Sequence, residues 1–522
     1  MKRDQFYLTT AILYTSGQPH IGNIYELILA DVIARFKRAE GYDVRFQTGT
    51  DEHGLKIKQR AEAAGLSPQA FCDQVTAGIL HTLELVQISY DHFQRTTAEE
   101  HERAVSAIFK EMYEQGDIYK SLYEGWYCVP CEAFFTDSQV TEEGLCPDCG
   151  RALEREKEES YFFRLSHYTD FLRQLFKEQP DFLVPQLNRN EMIKNFLDPG
   201  LNDLAVSRRA FDWGVATFDP DHVVYVWLDA LFNYLTGLGY CPGEEAELVD
   251  RYWPADLHII GKDIARFHTI YWPAFLKAMD LPLPRQVYAH PWLLFGEGKM
   301  SKSRGNVIYT DELVDAFGSD AVRYLVLREI PYDRDGHATV ASLLERYNTD
   351  LANIFGNLFK RTISMLQQYR GGRVAEGSAL SSLEEEIASQ MRESCDEAYR
   401  ALENYRIQEA LIEIWELLRR LNKYIDETEP WVLAKTEGAE KRLDRVLFTL
   451  LSGLATAAQL LAPIMPETSG EILKLLTLQD RPLDRAGQWA TELREVEILE
   501  AAPTLFPRLK LAEISDKFPA GV

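Results

Sequence analysis

Basic residues are in short supply. The chain has 522 residues, with 56 Lys or Arg against 81 Asp or Glu, a formal net charge of −25. Sequence-independent affinity for a polyanion comes from Lys and Arg neutralising phosphates. Composition therefore excludes nucleic-acid binding by bulk charge, and any such binding must rest on local patches. Candidates are Arg208-Arg209, Lys299 to Arg304, Lys360-Arg361 and Arg419-Arg420-Lys423. A solvated surface is the simpler reading of each patch taken alone. Long apolar runs are also rare. Leu447 to Met465 carries no charge, but Thr449, Ser452, Thr456 and Gln459 recur at steps of three and four. That spacing puts them on one face of a helix opposite Leu447, Leu450, Leu451, Leu454 and Leu461. A buried bundle helix ended by Pro463 is expected, not a membrane span. The first residues lack the apolar region and cleavage site of a signal peptide. No internal repeat and no low-complexity segment is present.

Cysteine is scarce too, with seven in all. Cys72, Cys241 and Cys395 are scattered and read as ordinary thiols. The other four, Cys128, Cys131, Cys146 and Cys149, form C-x2-C-x14-C-x2-C. Without a secretion signal a reducing cytoplasm is expected, where such a cluster binds metal and does not form disulfides. Two knuckles of this spacing can close a tetrahedral thiolate site around one structural Zn²⁺.

What is present is a soluble globular composition, 46% hydrophobic and 26% charged, over a length that allows several domains. Phe6 to Tyr14 reads as a buried strand, Ile21 to about Arg38 as a helix ended by Gly41, and Val44 to Gly49 as a second strand. Thr50 to Gly54 is its C-terminal loop. This β-loop-α-β order is the first half of a doubly wound nucleotide-binding sheet. From about Tyr119 to Thr217 the pattern changes to cysteines, turns and a Glu/Lys-rich stretch, which reads as an insertion. The α/β pattern resumes at Val223. From about 340 to 475, apolar residues such as Leu344, Tyr347, Leu351, Phe355 and Leu358, and Leu411, Ile414, Leu418, Leu421 and Ile425, keep a period near 3.6. They predict a helical bundle. The tail after Leu511 is expected to be loosely ordered.

Two short segments suit phosphate chemistry. Pro19-His20-Ile21-Gly22-Asn23 lies at a loop-to-helix junction, where a helix N-terminus and a histidine N–H can face anionic oxygens. Gly298-Lys299-Met300-Ser301-Lys302-Ser303-Arg304-Gly305 follows a hairpin-like Leu293 to Gly298. Its glycines permit a mobile loop, and Lys299 and Lys302 supply two ammonium groups. Each alone is a weak signal. Together, in this order, they resemble the two ATP-binding signatures of class I aminoacyl-tRNA synthetases.

Longer segments narrow the resemblance to the methionyl-tRNA synthetase family: Thr48 to Gly54, Tyr225 to Tyr234, and Gly261 to His268. The likeness runs from residue 6 to about 510. It implies a Rossmann-type doubly wound parallel sheet split by a zinc-binding insertion, followed by an all-α anticodon-binding bundle. The implied domains are 1–117 and 223–298 for the two halves of the catalytic domain and 118–222 for the insertion. A lysine-loop and stem-contact region follows at 299–342, then the bundle at 343–510 and a tail at 511–522. The implied activity joins methionine and Mg²⁺-ATP into methionyl-adenylate, then transfers methionine to the 3′-terminal adenosine of tRNA(Met).

Residue by residue, the resemblance implies catalytic roles for His20, Asn23, Lys299 and Lys302. Tyr14, His20, Gly22, Asn23, Glu26, Asp263 and Lys302 are implied to bind ATP. Asp51 is implied to pair with the methionine ammonium. Ala11, Ile12, Trp227, Ala230, Leu231, Tyr234, Phe267 and His268 are implied to line the methionine pocket. Asn357, Arg361 and Trp431 are implied to read the anticodon. The first signature departs from the family at Asn23, where a second histidine is usual, and the first strand has Ala11 and Leu13 in place of Pro and Tyr. Family members carry the cysteine knuckles in zinc-binding and zinc-free versions; this chain keeps all four. Some members continue into a dimerising module, and a monomer is expected here. Three other readings stand: a class I synthetase for another apolar amino acid, a non-catalytic tRNA-binding relative, against which intact His20, Asp51, Lys299 and Lys302 argue, and a generic zinc-binding interaction protein, which would not need the two phosphate segments.

Overall fold

The apolar stretch that opens the chain divides in two. In the computed structural model, strand Gln5–Thr10 ends at Ala11 and Ile12, and the chain re-forms as the two-residue strand Leu13–Tyr14. The single strand expected through Tyr14 is therefore interrupted. The break falls on two residues expected to line the amino-acid pocket. Residues 4–128, 133–135, 140–141, 143–146, 150–209, 211–295, 307–377, 379–478, 493 and 495–518 are described.

The chain divides into two units. The first holds residues 1–19, 43–84 and 89–290, and the second 20–42, 85–88 and 291–522. The first unit is built on a seven-stranded sheet. Its order is Leu13–Tyr14, Asp43–Asp51, Gln5–Thr10, Leu257–Gly261, Val287–His290 and Leu183–Val184, with His92–Arg95 also on Asp43–Asp51. Every pairing is parallel, with Leu8 opposite both Phe46 and Leu257. Parallel sheets are covered on both faces and so need continuous apolar strands. All residues of Leu257–Gly261 and Val287–His290 are buried. The carboxyl ends, where ligands of such sheets bind, carry Thr10, Asp51, Arg95, Gly261 and His290.

The stretch 118–222 contributes strands to three sheets, one of them the small antiparallel pair of Ser207–Arg208 with Val223–Val224. Ile118–Cys128, Ala133–Phe135, Glu154–Phe163 and Leu204–Ala205 form an antiparallel four-stranded sheet. Leu183–Val184, from the same stretch, is an edge strand of the parallel sheet. The insertion is thus not wholly separate from the sheet it interrupts.

The second unit is mostly helical. Helix Ile407–Thr428 buries Leu411, Ile414, Leu417, Leu418, Leu421 and Ile425 completely, as the 3.6 period predicts. In helix Glu440–Leu461 the hydroxyls of Thr449, Ser452 and Thr456 each donate to the carbonyl four residues back, which satisfies them inside a bundle. Among the described residues no helix is long and apolar enough to cross a membrane. The first long helix, Ile21–Ala39, groups with this unit.

Leu293–Phe295 does not open a hairpin; it pairs in parallel with Gly336–Ala338, 43 residues along the register. The stretch after Leu511 is ordered as far as Phe518. It forms the short helix Leu511–Ile514, buries Ile514, and sets the Phe518 ring 6.4 Å from that of Phe317, tilted by 33°.

Candidate functional site

Helix Val226–Leu231 and the turn Phe267–Tyr271 carry most of the expected amino-acid pocket. The turn has π-helical geometry, which widens one helical turn and is frequent at functional sites. Trp227 and Phe267 stack face to face, with ring centroids 3.6 Å apart and planes 5° from parallel. Ala11, Trp227, Leu231, Tyr234 and Phe267 belong to one apolar cluster. Ala230 is buried beside them on the same helix, and Ile12 lies in the strand break.

His268 joins this wall through Tyr234, whose hydroxyl lies 2.7 Å from Nε2. The Ile264 carbonyl lies 3.0 Å from Nδ1. A carbonyl only accepts, so Nδ1 carries the proton and Nε2 accepts from the tyrosine. Burial pushes the imidazole down to about 4, against the raising effect of that carbonyl, so the ring is neutral. Behind it, His258 lies 4.3 Å from the Tyr234 ring. Trp272 Nε1 donates to its Nε2 and its Nδ1 faces Thr9 Oγ1 at 2.6 Å. The Tyr7 hydroxyl donates to the Tyr234 carbonyl at 2.7 Å. The wall is aromatic, uncharged and fixed from behind, which suits a polarisable, flexible side chain.

Asp51 ends strand Asp43–Asp51 and lies opposite Tyr14 in the neighbouring strand. The next residue, Glu52, is fully buried. Its carboxylate accepts from Arg95 Nε and Nη2 at 2.7 and 2.9 Å, from Thr50 at 2.6 Å and from Thr76 at 3.0 Å. His53 follows, with Nδ1 2.7 Å from Asp229 Oδ2; His101 Nε2 lies 2.7 Å from Asp229 Oδ1.

Burial would lower His53, but the Asp229 charge and hydrogen bond outweigh it and raise it to about 10. Burial would raise Asp229, but His53 and the bonds from both histidines hold it at about 2. The raised histidine stabilises the fold fully below its usual 6.5, and that contribution is lost as pH rises through about 10. The lowered carboxylate contributes above its usual 3.8 and is lost as pH falls through about 2. Asp229→Asn is therefore expected to lower the melting temperature at pH 6 by several degrees and by progressively less towards pH 10. Scanning calorimetry of both proteins across that range checks this.

Glu52, Arg95, His53, His101, Asp229, His258 and Thr9 were not singled out from sequence. Glu52, His53 and Asp229 lie inside the family segments; Asp229 alone carried a local signal, a charged group among apolar neighbours.

The phosphate residues fall in other places. Asp263 is exposed on the turn after strand Leu257–Gly261. A Cβ on Gly261 would meet its Oδ1 at 2.7 Å, so only glycine allows that carboxylate to fold over the strand end. Lys56 lies 5.1 Å from the centre of the Tyr14 ring. In the second unit, His20 caps helix Ile21–Ala39. Its Nδ1 accepts from the Gly22 N–H at 3.1 Å, and its own N–H donates to Asn23 Oδ1 at 3.2 Å. With Nδ1 accepting, a neutral ring has its N–H at Nε2. The first turn holds no acidic residue, so the positive helix end is not offset. Glu26 is half-buried one turn on. Lys299 and Lys302 lie outside the described residues.

Asn357 is exposed at the start of helix Asn357–Arg370. Arg361 Nη2 reaches Asp426 Oδ1 at 3.5 Å, near the end of helix Ile407–Thr428. Glu429, in the left-handed region at φ 43°, turns the chain there, and half-buried Trp431 follows Pro430. Among the described residues of the other basic patches, Arg209 pairs with Asp221, Arg419 with Glu416, Arg420 with Glu386 and Glu427, and Lys423 with Glu427. Arg208 is buried over the Tyr127 ring.

Cys128 and Cys146 are both buried, in one small cluster with Trp126, Val140 and Leu153. The Gly150 N–H turns back to the Cys146 carbonyl at 2.8 Å, at a φ of 70° that favours glycine. Cys131 and Cys149 lie outside the described residues. Among those described, no group of three or more His, Cys, Asp or Glu is arranged to hold a metal.

Comparison with known proteins decides the family. The family described as tRNA synthetases class I (M) matches residues 6–156 and 149–363, and the anticodon-binding domain of tRNA ligases matches 384–508. The methionine–tRNA ligase of Clostridium acetobutylicum is 49% identical over 482 residues, covering 92% of this chain and 74% of the relative. The chain belongs to the class I methionyl-tRNA synthetases. The methionine–tRNA ligase of Caldanaerobacter subterraneus subsp. tengcongensis is 48% identical over 97% of this chain and 79% of its own length. Among solved structures, the Mycobacterium tuberculosis methionyl-tRNA synthetase in complex with methionyl-adenylate superposes with a TM-score of 0.91 at 42% identity. That match covers 97% of this chain and 100% of that one. This synthetase thus has the family's α/β sheet and its helical anticodon-binding domain.

Proposed function

We propose that this chain joins methionine to tRNA in two steps. Methionine and ATP, which carries Mg²⁺, first give methionyl-adenylate and pyrophosphate. The methionyl group then passes to the terminal adenosine of tRNA(Met). The observation that carries this reading is the wall of Trp227, Tyr234, Phe267 and His268, uncharged and held rigid, in a chain of this family. Asp51 is the partner of the substrate ammonium. Ala11, Ile12, Ala230 and Leu231 complete the thioether pocket. An anionic group at one end and an apolar wall at the other fix the length of amino acid admitted.

No side chain need act as nucleophile, because the substrate carboxylate attacks the α-phosphate itself. The protein's task is to hold the reactants in line and offset charge on the phosphate oxygens. His20 Nε2–H, the amide of Asn23 and the positive N-terminal end of helix Ile21–Ala39 serve that role. Lys299 and Lys302 supply positive charge for the departing pyrophosphate. Tyr14, Gly22, Glu26 and Asp263 hold the nucleoside.

In the bundle, Asn357 and Arg361 bond base edges of the anticodon, and Trp431 stacks an unpaired base. Stacking of this kind is worth about 1–3 kcal/mol. Trp431→Ala is therefore expected to lower kcat/KM for tRNA about 10- to 100-fold in aminoacylation. Methionine-dependent pyrophosphate exchange should stay within twofold. Equal loss of both activities would assign Trp431 to packing.

The insertion holds one structural Zn²⁺ between Cys128, Cys131, Cys146 and Cys149, in a cytoplasmic enzyme. The burial of Cys128 and Cys146 in one cluster and the turn at Gly150 fit such a site. Bound zinc would tie the two knuckles together and take no part in adenylate chemistry. Metal analysis is expected to find one zinc per chain, and Cys146→Ser to reduce it to well under half.

A further inference from the structure

The Asp229 carboxylate is fully buried and shared between two histidines, one to each oxygen, both at 2.7 Å. His101, on helix Glu99–Gln115, also faces Thr236 Oγ1 through Nδ1 at 2.7 Å. His53 has Glu102 Oε1 3.3 Å from its Nε2 and the Trp213 ring edge-on at 5.4 Å. The backbone between Asp51 and His53 is pinned as well. The Glu52 N–H donates to Thr96 Oγ1 at 2.9 Å, and Trp213 Nε1 donates to the Glu52 carbonyl at 2.6 Å.

The placement of these groups is specific. His53 lies two residues beyond Asp51. Asp229 lies between Trp227 and Ala230 on the helix that forms the pocket wall. One carboxylate therefore joins the segment carrying the ammonium partner to the helix carrying the wall. Helix Glu99–Gln115 braces the joint from a third side. A buried ion pair adds little net stability over an apolar replacement of the same shape. What two short charge-assisted hydrogen bonds do supply is a fixed distance.

We infer that Asp229 is a positioning residue for amino-acid binding, which through His53 sets the gap between Asp51 and the wall of Trp227, Ala230 and Leu231. It touches no substrate. The inference rests on the roles proposed above for Asp51 and that wall. The gap defines how long a side chain fits once its ammonium is held. The Asp229 charge also keeps His53 protonated, so the tie persists through the neutral range. The Glu102 carboxylate, 3.3 Å from His53 Nε2, favours the same state.

The test is kinetic, on enzyme counted by active-site titration so that unfolded protein does not enter. Asp229→Asn keeps the shape but turns an NH2 group towards one histidine N–H. His53→Ala removes the tie. His53→Asn keeps an N–H donor near the place of Nδ1. In pyrophosphate exchange, Asp229→Asn and His53→Ala are expected to raise the methionine KM at least about 10-fold, with the ATP KM within twofold. His53→Asn should recover most of the loss. A methionine KM within twofold of the parent in both variants, or equal rises for methionine and ATP, overturns the inference. So does a lower titre with unchanged KM, which marks a merely structural group. If Asp229→Asn gives no folded enzyme, the two His53 variants decide by the same readings. Absence of methionine-dependent exchange in the parent enzyme would instead overturn the functional reading beneath.

Discussion

Replacing Lys302 with alanine is expected to slow methionine-dependent pyrophosphate exchange about 30- to 1,000-fold, with the KM for ATP changed less than about threefold. A preorganised charge aimed at oxygens that gain charge only in the transition state is worth about 2–4 kcal/mol of barrier. In the proposed function ground-state ATP would have other partners, among them the N-terminus of helix Ile21–Ala39, so binding is expected to suffer less. The expected pattern is thus a kcat effect. Lys299→Ala should follow in the same direction with a smaller loss. A Lys302→Ala enzyme with the parent exchange rate removes that lysine from the mechanism.

Replacing Arg323 with methionine is expected to destabilise the helical unit by roughly 3–5 kcal/mol, because it leaves buried partners unmet. Arg323 is fully buried in helix Ser319–Glu329. Its guanidinium donates to Asp31 at 2.6 Å and to the carbonyls of Val86, Pro463 and Ile464 at 2.8, 2.9 and 2.7 Å. It thereby ties helix Ile21–Ala39, the turn at Val86 and the Pro463 corner that ends helix Glu440–Leu461. At about 2–4 °C per kcal/mol the melting transition should fall by about 10 °C. Arg35 also bonds Asp31, at 2.7 Å, but is partly exposed. Arg35→Met should therefore cost only about 1 kcal/mol. Equal costs for the two variants would contradict the buried-clamp reading of Arg323.

These two residues show what a sequence can carry. The motif around Lys302 stands out in the sequence because loop chemistry is local, two lysines between glycines within a few residues, though it lies outside the described residues. The same holds for His20 and Asn23, whose reciprocal capping bonds span three positions. The helix periods were legible because burial repeats every turn, as in Ile407–Thr428. Arg323 was not legible, because its partner Asp31 is 292 residues away and nothing near either residue names the other. Asp229 and His101 failed for the same reason, at a separation of 128. Strand Leu183–Val184 was missed because two residues cannot show a period, and its membership in the parallel sheet is set by Val287 and Tyr288. The break at Ala11 and Ile12 hid inside a continuous apolar run, where a strand end leaves no mark. The ordered turn after Leu511 is held by remote groups, Lys517 on the Asp315 carbonyl and Phe518 on Phe317.

The central claim is that this site activates methionine, and pyrophosphate exchange with each of the twenty amino acids tests it most directly. Methionine alone is expected to support rapid exchange, with other apolar amino acids at least about 100-fold slower in kcat/KM. Exchange driven as fast by leucine, isoleucine or valine, or absent with methionine, would contradict it.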